Sequence, residues 1–350
     1  MMSIERIYNE KEIAACYFRT AAQLPARKCL IQITERCNLR CKHCFVSAVS
    51  TGYDMNYELI IDHIIPAIIK NKISRVTLTG GEPLVYPRLT DLVNTLGDQN
   101  VSVGICTNGV LVNEELLGLI KNCKGIHFNI SLDGFSPSSH GRFRGNEEPE
   151  VFNRIIENIK LLGRYHMLKG ILVTPNVFTP LEEYVELCEF AKEAGAEYVL
   201  MNPLSEFGRG ESNVRLGLSR EELIKLQSLT QRFNQNDFQM VYIRFPRTTD
   251  LPVSKCHAGD ILYVFTNGNV AYCPYMAFAS KGNKSLYNEN QFILGNCFSN
   301  SFDWRLALDK YNLPCIDGDF SREIEKREGC FAMKIANGLK LGDQDPIVIT

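Results

Sequence analysis

From residue 28 onward, short runs of apolar and β-branched residues alternate with longer stretches whose apolar positions recur every three or four residues. The short runs predict strands at 29–34, 75–79, 101–107, 125–131, 170–173 and 198–202. The longer ones predict helices at 59–71, 90–96, 113–120, 151–162, 181–194 and 220–233. Pro66 is expected to kink the first helix or to start its second half, because proline has no amide donor. Strand and helix in alternation are the mark of βαβ units, so the predicted fold class is α/β with a parallel sheet of six such units. After Val253 the alternation stops. Two apolar runs, 261–264 and 270–272, flank Thr266-Asn267-Gly268-Asn269, whose Asn-Gly tolerates the positive φ of a tight turn and predicts a β-hairpin. The Pro-containing stretch 245–252 is the best boundary between the two regions.

Parallel strands carry their ligand-binding loops at the carboxyl edge. Four successive predicted strands end there in glycine-rich or polar motifs: Cys37 to Cys44, then Gly80-Gly81-Glu82-Pro83, then Thr107-Asn108-Gly109, then Ser131-Leu132-Asp133-Gly134. The first is the most informative. Cys37, Cys41 and Cys44 stand at spacings of four and three in Cys37-Asn38-Leu39-Arg40-Cys41-Lys42-His43-Cys44. Soft thiolates so spaced suit zinc or an iron–sulfur cluster; zinc wants a fourth short-range ligand, whereas a cubane with three protein ligands keeps one iron open.

Length and composition narrow the class further. A chain of 350 residues that is 45% hydrophobic can bury one large core and a smaller module. A formal charge of −2 offers no electrostatic reason for a nucleic-acid or membrane-surface partner. The longest apolar run, 59–73, is broken by Asp62, His63, Pro66 and Lys70, short of the roughly 20 apolar residues of a membrane helix. The first ten residues have no signal-peptide core, so the chain is expected to be cytosolic. Thirteen cysteines in that reducing compartment argue for metal sites over a disulfide framework. They group at the front and again at Cys256, Cys273, Cys297, Cys315 and Cys330. The predicted hairpin brings Cys256 and Cys273 toward one another.

The string C-x3-C-x2-C followed by Gly80-Gly81-Glu82-Pro83 resembles the radical S-adenosylmethionine (SAM) superfamily, and the resemblance extends over residues 28–345. It implies a partial (β/α)6 TIM-like barrel in which Cys37, Cys41 and Cys44 hold a [4Fe-4S] cluster that cleaves SAM to a 5′-deoxyadenosyl radical. By the same resemblance Gly80, Gly81, Glu82 and Pro83 hold the methionine amine. His43 packs near the adenine with Phe45 as apolar cover, the backbone near Met201 meets the adenine, and Asn108 completes the edge. Ser131 and Asp133 fall where the family places groups on the SAM ribose and carboxylate. Arg142 and Arg144 either bind a carboxylate or form a solvated basic loop.

The phrase from Ser131 to Gly145, with Gly208-Arg209-Gly210, resembles the branch that carries extra clusters. Cys256, Gly268 and Cys273 fit the opening pattern of a SPASM or twitch domain, Glu328-Gly329-Cys330-Phe331-Ala332 resembles its closing element, and Cys315 is the candidate fourth ligand of one auxiliary [4Fe-4S] cluster. The implied organisation is an N-terminal extension over 1–27, a radical SAM core over 28–245 and an auxiliary iron–sulfur domain over 250–345. Cys297 is either a buried core residue or a hydrogen-atom donor, and Cys315 shares the second possibility; Cys16, Cys29, Cys106, Cys123 and Cys188 are expected to pack. The implied activity is modification of a ribosomally made peptide by crosslink, thioether or Cα epimerisation, with a flavodoxin or ferredoxin as electron donor. Leader recognition is then expected from the barrel or from a separate leader-binding protein. A dehydrogenase or epimerase of a sugar or aminocyclitol is the alternative enzyme, and an iron–sulfur electron carrier or sensor the non-enzymatic one.

Overall fold

The computed structural model describes residues 27–246, 261–308 and 330–341. Seven strands run parallel and in chain order: β1 Arg27–Thr34, β2 Ile73–Gly80, β3 Ser102–Thr107, β4 His127–Ser131, β5 Leu168–Val173, β6 Tyr198–Met201 and β7 Gln239–Tyr242. Each crossover moves one strand along, so the helices gather on one face and the sheet winds as a barrel instead of an open doubly wound sheet. The helices are α1 Tyr57–Leu59, α2 Ile65–Lys70, α3 Leu89–Asp98, α4 Glu114–Ile120, α5 Pro137–Arg144, α6 Pro149–Arg164, α7 Leu181–Glu193 and α8 Arg220–Thr230. Pro66 lies in the first turn of α2, after a π-helical segment Ile60–Ile64 that joins α1 to α2. The proline therefore starts the second half of the predicted helix, where the π-helical turn before it changes the hydrogen-bond register.

Strand alternation sorts the residues into two faces. Cys29, Ile31 and Ile33 of β1, Val76 and Leu78 of β2, Val103 and Ile105 of β3, and Phe128 and Ile130 of β4 are buried in the core shared with the helices. Each such side chain contributes about 1.5–3 kcal/mol by leaving water. The other face carries Leu172, Leu200, Val241 and Ile243 toward the carboxyl half, with Cys106 and Tyr198 packed against them. Tyr198 Oη donates to Asn129 Oδ1 at 2.5 Å, so this inner face is partly polar.

The predicted hairpin forms from β8 Ile261–Val264 and β9 Asn269–Ala271, with Gly268 at φ +85°. It does not stand apart from the barrel. β8 pairs parallel with β1, matching Lys28 to Ile261, and β10 Ile293–Asn296 extends the ribbon, so one ten-stranded sheet runs β10-β9-β8-β1-β2-β3-β4-β5-β6-β7. The expected boundary at 245–252 falls largely in a stretch outside the described residues. Helix α9 Pro274–Ala279 and the closing helix Phe331–Ala336 pack against one another beside this ribbon, in a second apolar cluster with Phe207, Tyr263, Phe265 and Phe292. Among the described residues no helix is long and apolar enough to cross a membrane.

Strands β7 and β10 and helix α5 were not among the predicted elements, although β6 and β8, equally short, were. Helix α5 was expected as loop because its residues, Pro137–Arg144, are mostly polar. Its signals were local: a reciprocal capping box between Ser136 and Ser139, Pro137 in the first turn, and Gly145 in the left-handed conformation after the last.

Candidate active site

The carboxyl edge of β1 is pinned first. Arg36 grips Asp54 through Nε at 3.0 Å and Nη2 at 2.7 Å and also donates to the Val85 carbonyl. The strand end at Gly80-Gly81 then approaches so closely that a Cβ on either glycine would fall 2.2 Å from the carbonyl oxygens of Thr34 and Arg36. The amides of Gly81 and Glu82 donate to those same carbonyls at 2.9 and 2.8 Å. Both glycines are thus required by the neighbouring strand end as well as by any ligand.

The cysteine loop is held from two sides. Lys42 N–H donates to the Phe143 carbonyl on α5, and Gly145, at φ +80°, leaves room for Arg40, whose oxygen would lie 2.7 Å from a Cβ there. From the opposite side Arg209 donates through Nε to the Cys41 carbonyl and through Nη1 to the Ala48 carbonyl, both at 2.7 Å. Its own amide bonds the Cys44 carbonyl, and Gly208, at φ +60°, would bring a Cβ within 2.6 Å of the Cys44 and Phe45 oxygens.

These elements surround an open cavity. Cys37, Cys41, Cys44, His43, Phe45, Gly80, Gly81, Glu82, Asn108, Ser131 and Arg144 all line it. Three expected residues do not. Pro83 is buried in the turn that follows Glu82. Met201 turns its side chain into the helix-side core while its carbonyl accepts from Ile243, and the next residue, Asn202, takes the cavity position. Asp133 is fully buried behind the wall: Arg144 Nε donates to its Oδ2 at 2.6 Å and the Thr174 amide to its Oδ1 at 2.7 Å. Its carboxylate orients Arg144 instead of facing a ligand. Arg142, by contrast, is exposed beside Glu147, so the two arginines divide between the two readings left open above.

Electrostatics follow from burial. Glu82 is almost fully buried; burial raises its pKa, against donation from Asn108 N–H at 2.7 Å, Thr107 Oγ1 at 2.6 Å and Leu84 N–H at 3.0 Å. Asp133 is lowered on balance: burial alone would raise it, but Arg144, His43 and His140 outweigh that. Burial pulls His43 and His140 down to about 3 each, so both are neutral at pH 7. His43 stacks on Phe143 with ring centroids 4.1 Å apart and keeps Nδ1 buried without a partner. Burial pushes the Cys37 thiol up to about 11 and that of Cys41 to about 12, with Arg144, whose Nη1 is 3.9 Å from the Cys41 sulfur, opposing the rise.

Three soft donors on one loop, a cationic side chain beside them and open space in front fit an iron–sulfur cubane with three protein ligands. Among the described residues no group of three or more His, Cys, Asp or Glu side chains is placed to hold a single metal ion.

Sequence reasoning gave no cavity role to Thr79, Cys106, Asn202, Ser205 and Tyr275, which line it, and named Thr107 and Arg209 only as members of motifs. Cys106, expected to pack, is an inward residue one position from the end of β3, a placement that strand alternation allows to be counted out. Tyr275 comes from α9 and meets Phe45 edge-on with centroids 4.9 Å apart; no pattern near β1 announces it. Cys297 goes the other way. It lies in the helix-side core, close enough to Cys29 to influence its thiol, with its own pushed up to about 12 by burial, and it lines no part of the cavity. Cys273 and Cys330 immediately precede α9 and the closing helix and are buried in one apolar cluster. Cys16, Cys256 and Cys315 lie outside the described residues.

A parallel barrel with three thiols, a buried carboxylate and an arginine gathered at its carboxyl edge defines a cofactor-dependent enzyme site. Residues 31–202 match the radical SAM superfamily model, and over them the chain is a member of that superfamily, which implies a [4Fe-4S] cluster and SAM as its cofactors. Among curated proteins it is similar to the antilisterial bacteriocin subtilosin biosynthesis protein AlbA of Bacillus subtilis, with 25% identity over 280 residues, 78% of this chain and 57% of AlbA. It is also similar to the mycofactocin maturase MftC of Mycobacterium tuberculosis, with 24% identity over 331 residues, 92% of this chain and 83% of MftC. The chain thus spans little more than half the length of AlbA. Among solved structures, Streptococcus suis SuiB bound to S-adenosylmethionine superposes with a TM-score of 0.69 at 17% identity, over 92% of this chain and 77% of SuiB, a likeness of fold.

Proposed function

We propose that the chain is a radical SAM maturase of a ribosomally synthesised peptide. The observation that carries the reading is the convergence of Cys37, Cys41 and Cys44 with Gly80-Gly81-Glu82, Ser131 and Arg144 on one cavity at the barrel's carboxyl edge. When bound, the cluster and SAM supply a 5′-deoxyadenosyl radical that takes a hydrogen atom from a substrate C–H. The chain's own residues supply position and exclusion. Cys37, Cys41 and Cys44 are the cluster ligands, on a loop held by Arg209 and the Phe143 carbonyl. Glu82, already bonded by three protein donors, directs its remaining acceptor capacity toward an ammonium, and Arg144, oriented by Asp133, offers a cation to a carboxylate. Phe45 and Tyr275 give the mouth an apolar wall that keeps water from a reactive radical.

A peptide substrate is supported by the names of the relatives: AlbA is a bacteriocin biosynthesis protein, MftC a maturase, and SuiB has been seen with a precursor peptide, SuiA. The same reading assigns Cys256, Cys273, Cys315 and Cys330 to one auxiliary cluster; the burial of Cys273 and Cys330 in one apolar cluster supports it. Iron content and low-temperature EPR of reconstituted wild type and of a Cys37→Ala/Cys41→Ala/Cys44→Ala variant test the cofactors. The variant is expected to keep about four irons, as one remaining cubane requires; retention of none removes the auxiliary cluster. Co-expression with a short peptide encoded beside the gene tests the substrate, by a change of peptide mass that the variant does not produce. Wild type that forms no 5′-deoxyadenosine from SAM and dithionite would sink the whole reading.

A further inference from the structure

A second cavity opens at the same edge of the sheet as the first. Because β8 runs parallel to β1, the hairpin turn that follows β8 emerges beside the cysteine loop. The space between them is bounded by the chain from Val46 to Val49, by Asn267 and Phe278, and by Gln32 and Glu35 at the end of β1. Of its lining, only Val46 is shared with the cavity that holds Cys37, Cys41 and Cys44. The Phe45 ring of the first cavity meets the Phe278 ring of the second edge-on, with centroids 5.6 Å apart, so the partition is one layer of side chains thick.

The fold leaves two polar groups of this second cavity free. Gln32 is 4% exposed. Its Oε1 accepts from Tyr263 Oη at 3.3 Å and its backbone carbonyl from Thr266 Oγ1 at 3.2 Å, while Nε2 meets no acceptor among the described residues. Nε2 is also not among the buried polar atoms sealed without a partner, so it is open to the cavity that its side chain lines. A buried N–H without an acceptor costs about 1–3 kcal/mol, which a ligand carbonyl removes. Glu35 is half-buried, and among the described residues its carboxylate neither pairs with a cation nor accepts a hydrogen bond. Burial first, and then the nearby Cys106, Cys44 and Glu35, raise the Tyr263 pKa, so Glu35 lies within electrostatic reach of the Tyr263–Gln32 contact. The other charges of the wall cancel, since Lys281 Nζ pairs with Glu289 at 2.9 Å. The lining thus carries one uncompensated negative charge beside one unfilled donor. A backbone carbonyl satisfies the donor and a basic side chain the charge, and a peptide containing lysine or arginine supplies both.

We infer that this second cavity, through Gln32 and Glu35, binds a basic residue of the substrate peptide. Resting on the maturase reading, it gives the substrate a sequence requirement. A peptide held there crosses the Phe45–Phe278 partition into the first cavity over a short length of extended chain, which places the reacting residue near the basic one in sequence.

Three blocked tripeptides test it, each titrated by calorimetry into reconstituted, SAM-saturated enzyme: acetyl-Gly-Lys-Gly-amide, acetyl-Gly-Arg-Gly-amide and acetyl-Gly-norleucine-Gly-amide, the last an aliphatic chain without charge. Low salt is used because a half-exposed carboxylate is otherwise screened. Wild type is expected to bind the lysine or the arginine peptide about tenfold more tightly than the norleucine one, the scale of one charge-assisted bond. Glu35→Gln abolishes that preference and leaves 5′-deoxyadenosine formation from SAM and dithionite unchanged. Gln32→Leu weakens all three peptides alike and keeps the preference; if it does not fold, Glu35→Gln decides alone, because that side chain holds no partner in the fold. Four results overturn the assignment: no preference in wild type, no measurable binding of either basic peptide, a preference that survives Glu35→Gln, or full affinity in Gln32→Leu. Failure of the maturase reading registers separately, as an unchanged mass of the co-expressed peptide while the preference for a basic tripeptide persists.

Discussion

Replacing Asp133 tests the device that orients Arg144. Its side chain is fully buried, that of Arg144 is 11% exposed, and they meet at 2.6 Å. At an effective dielectric of about 20 such a pair attracts by roughly 5 kcal/mol, and removing one partner strands the other charge at a cost of about 3–5 kcal/mol. Asp133→Ala also orphans the Thr174 amide, for about 1–3 kcal/mol more. The pKa of Asp133 is lowered in the fold, so the pair's stabilisation is complete above the unfolded carboxylate pKa and is lost as pH falls through the folded value; neutral pH measures it in full. Urea unfolding at pH 7 of wild type, Asp133→Ala, Arg144→Ala and the double variant gives the coupling directly. With m about 3 kcal/mol per molar, each single variant should unfold at least about 1 M earlier, and the double variant should lose much less than the sum. A coupling below about 1 kcal/mol, the value of an exposed pair, would refute the reasoning.

Gly208→Ala places a Cβ against the Phe45 and Cys44 oxygens in a left-handed backbone, so iron per chain should fall to less than half of wild type while the secondary structure by circular dichroism stays. Glu82→Gln sets an amide against either the Asn108 N–H or the Thr107 and Leu84 donors, so thermal stability should drop with a loss of about 1–3 kcal/mol and SAM affinity should fall at least tenfold by equilibrium binding. His43 and His140, with pKa values near 3, stay neutral to pH 5, where the unfolded chain has already taken up both protons; stability should therefore decline from pH 7 to 5 by about 2 kcal/mol per histidine, and their ring signals in NMR should not titrate over that range. Cys297→Ala should leave 5′-deoxyadenosine yield within twofold of wild type and cost only packing stability; a loss of turnover with retained iron would return it to the reaction.

The alternation of apolar runs determined the six-unit parallel barrel, because strand and helix periods are local properties of the chain. Cysteine spacing and the glycine-rich strand ends located the site on the same grounds: each motif is contiguous, and parallel strands deliver their ends to one edge. Strands β7 and β10 were not read from the pattern although β6 and β8 of the same length were, and α5 was legible only through its caps. The functions of single side chains were decided by tertiary structure. Arg144 and Arg142 are two residues apart, yet one meets a buried carboxylate and the other an exposed one, that of Glu147. Asp133 turns behind the wall while Ser131, on the same strand end, faces the cavity. Cys106 reaches the cavity where packing was expected, and Cys297 takes the core place that was one of its two expected ones, since which face of a sheet a thiol occupies depends on register and on how β8 docks beside β1. The sequence by itself determined which chemistry the chain carries and at which edge; only the fold, through long-range burial and charge pairing between residues far apart in sequence, decided which side chains can reach it.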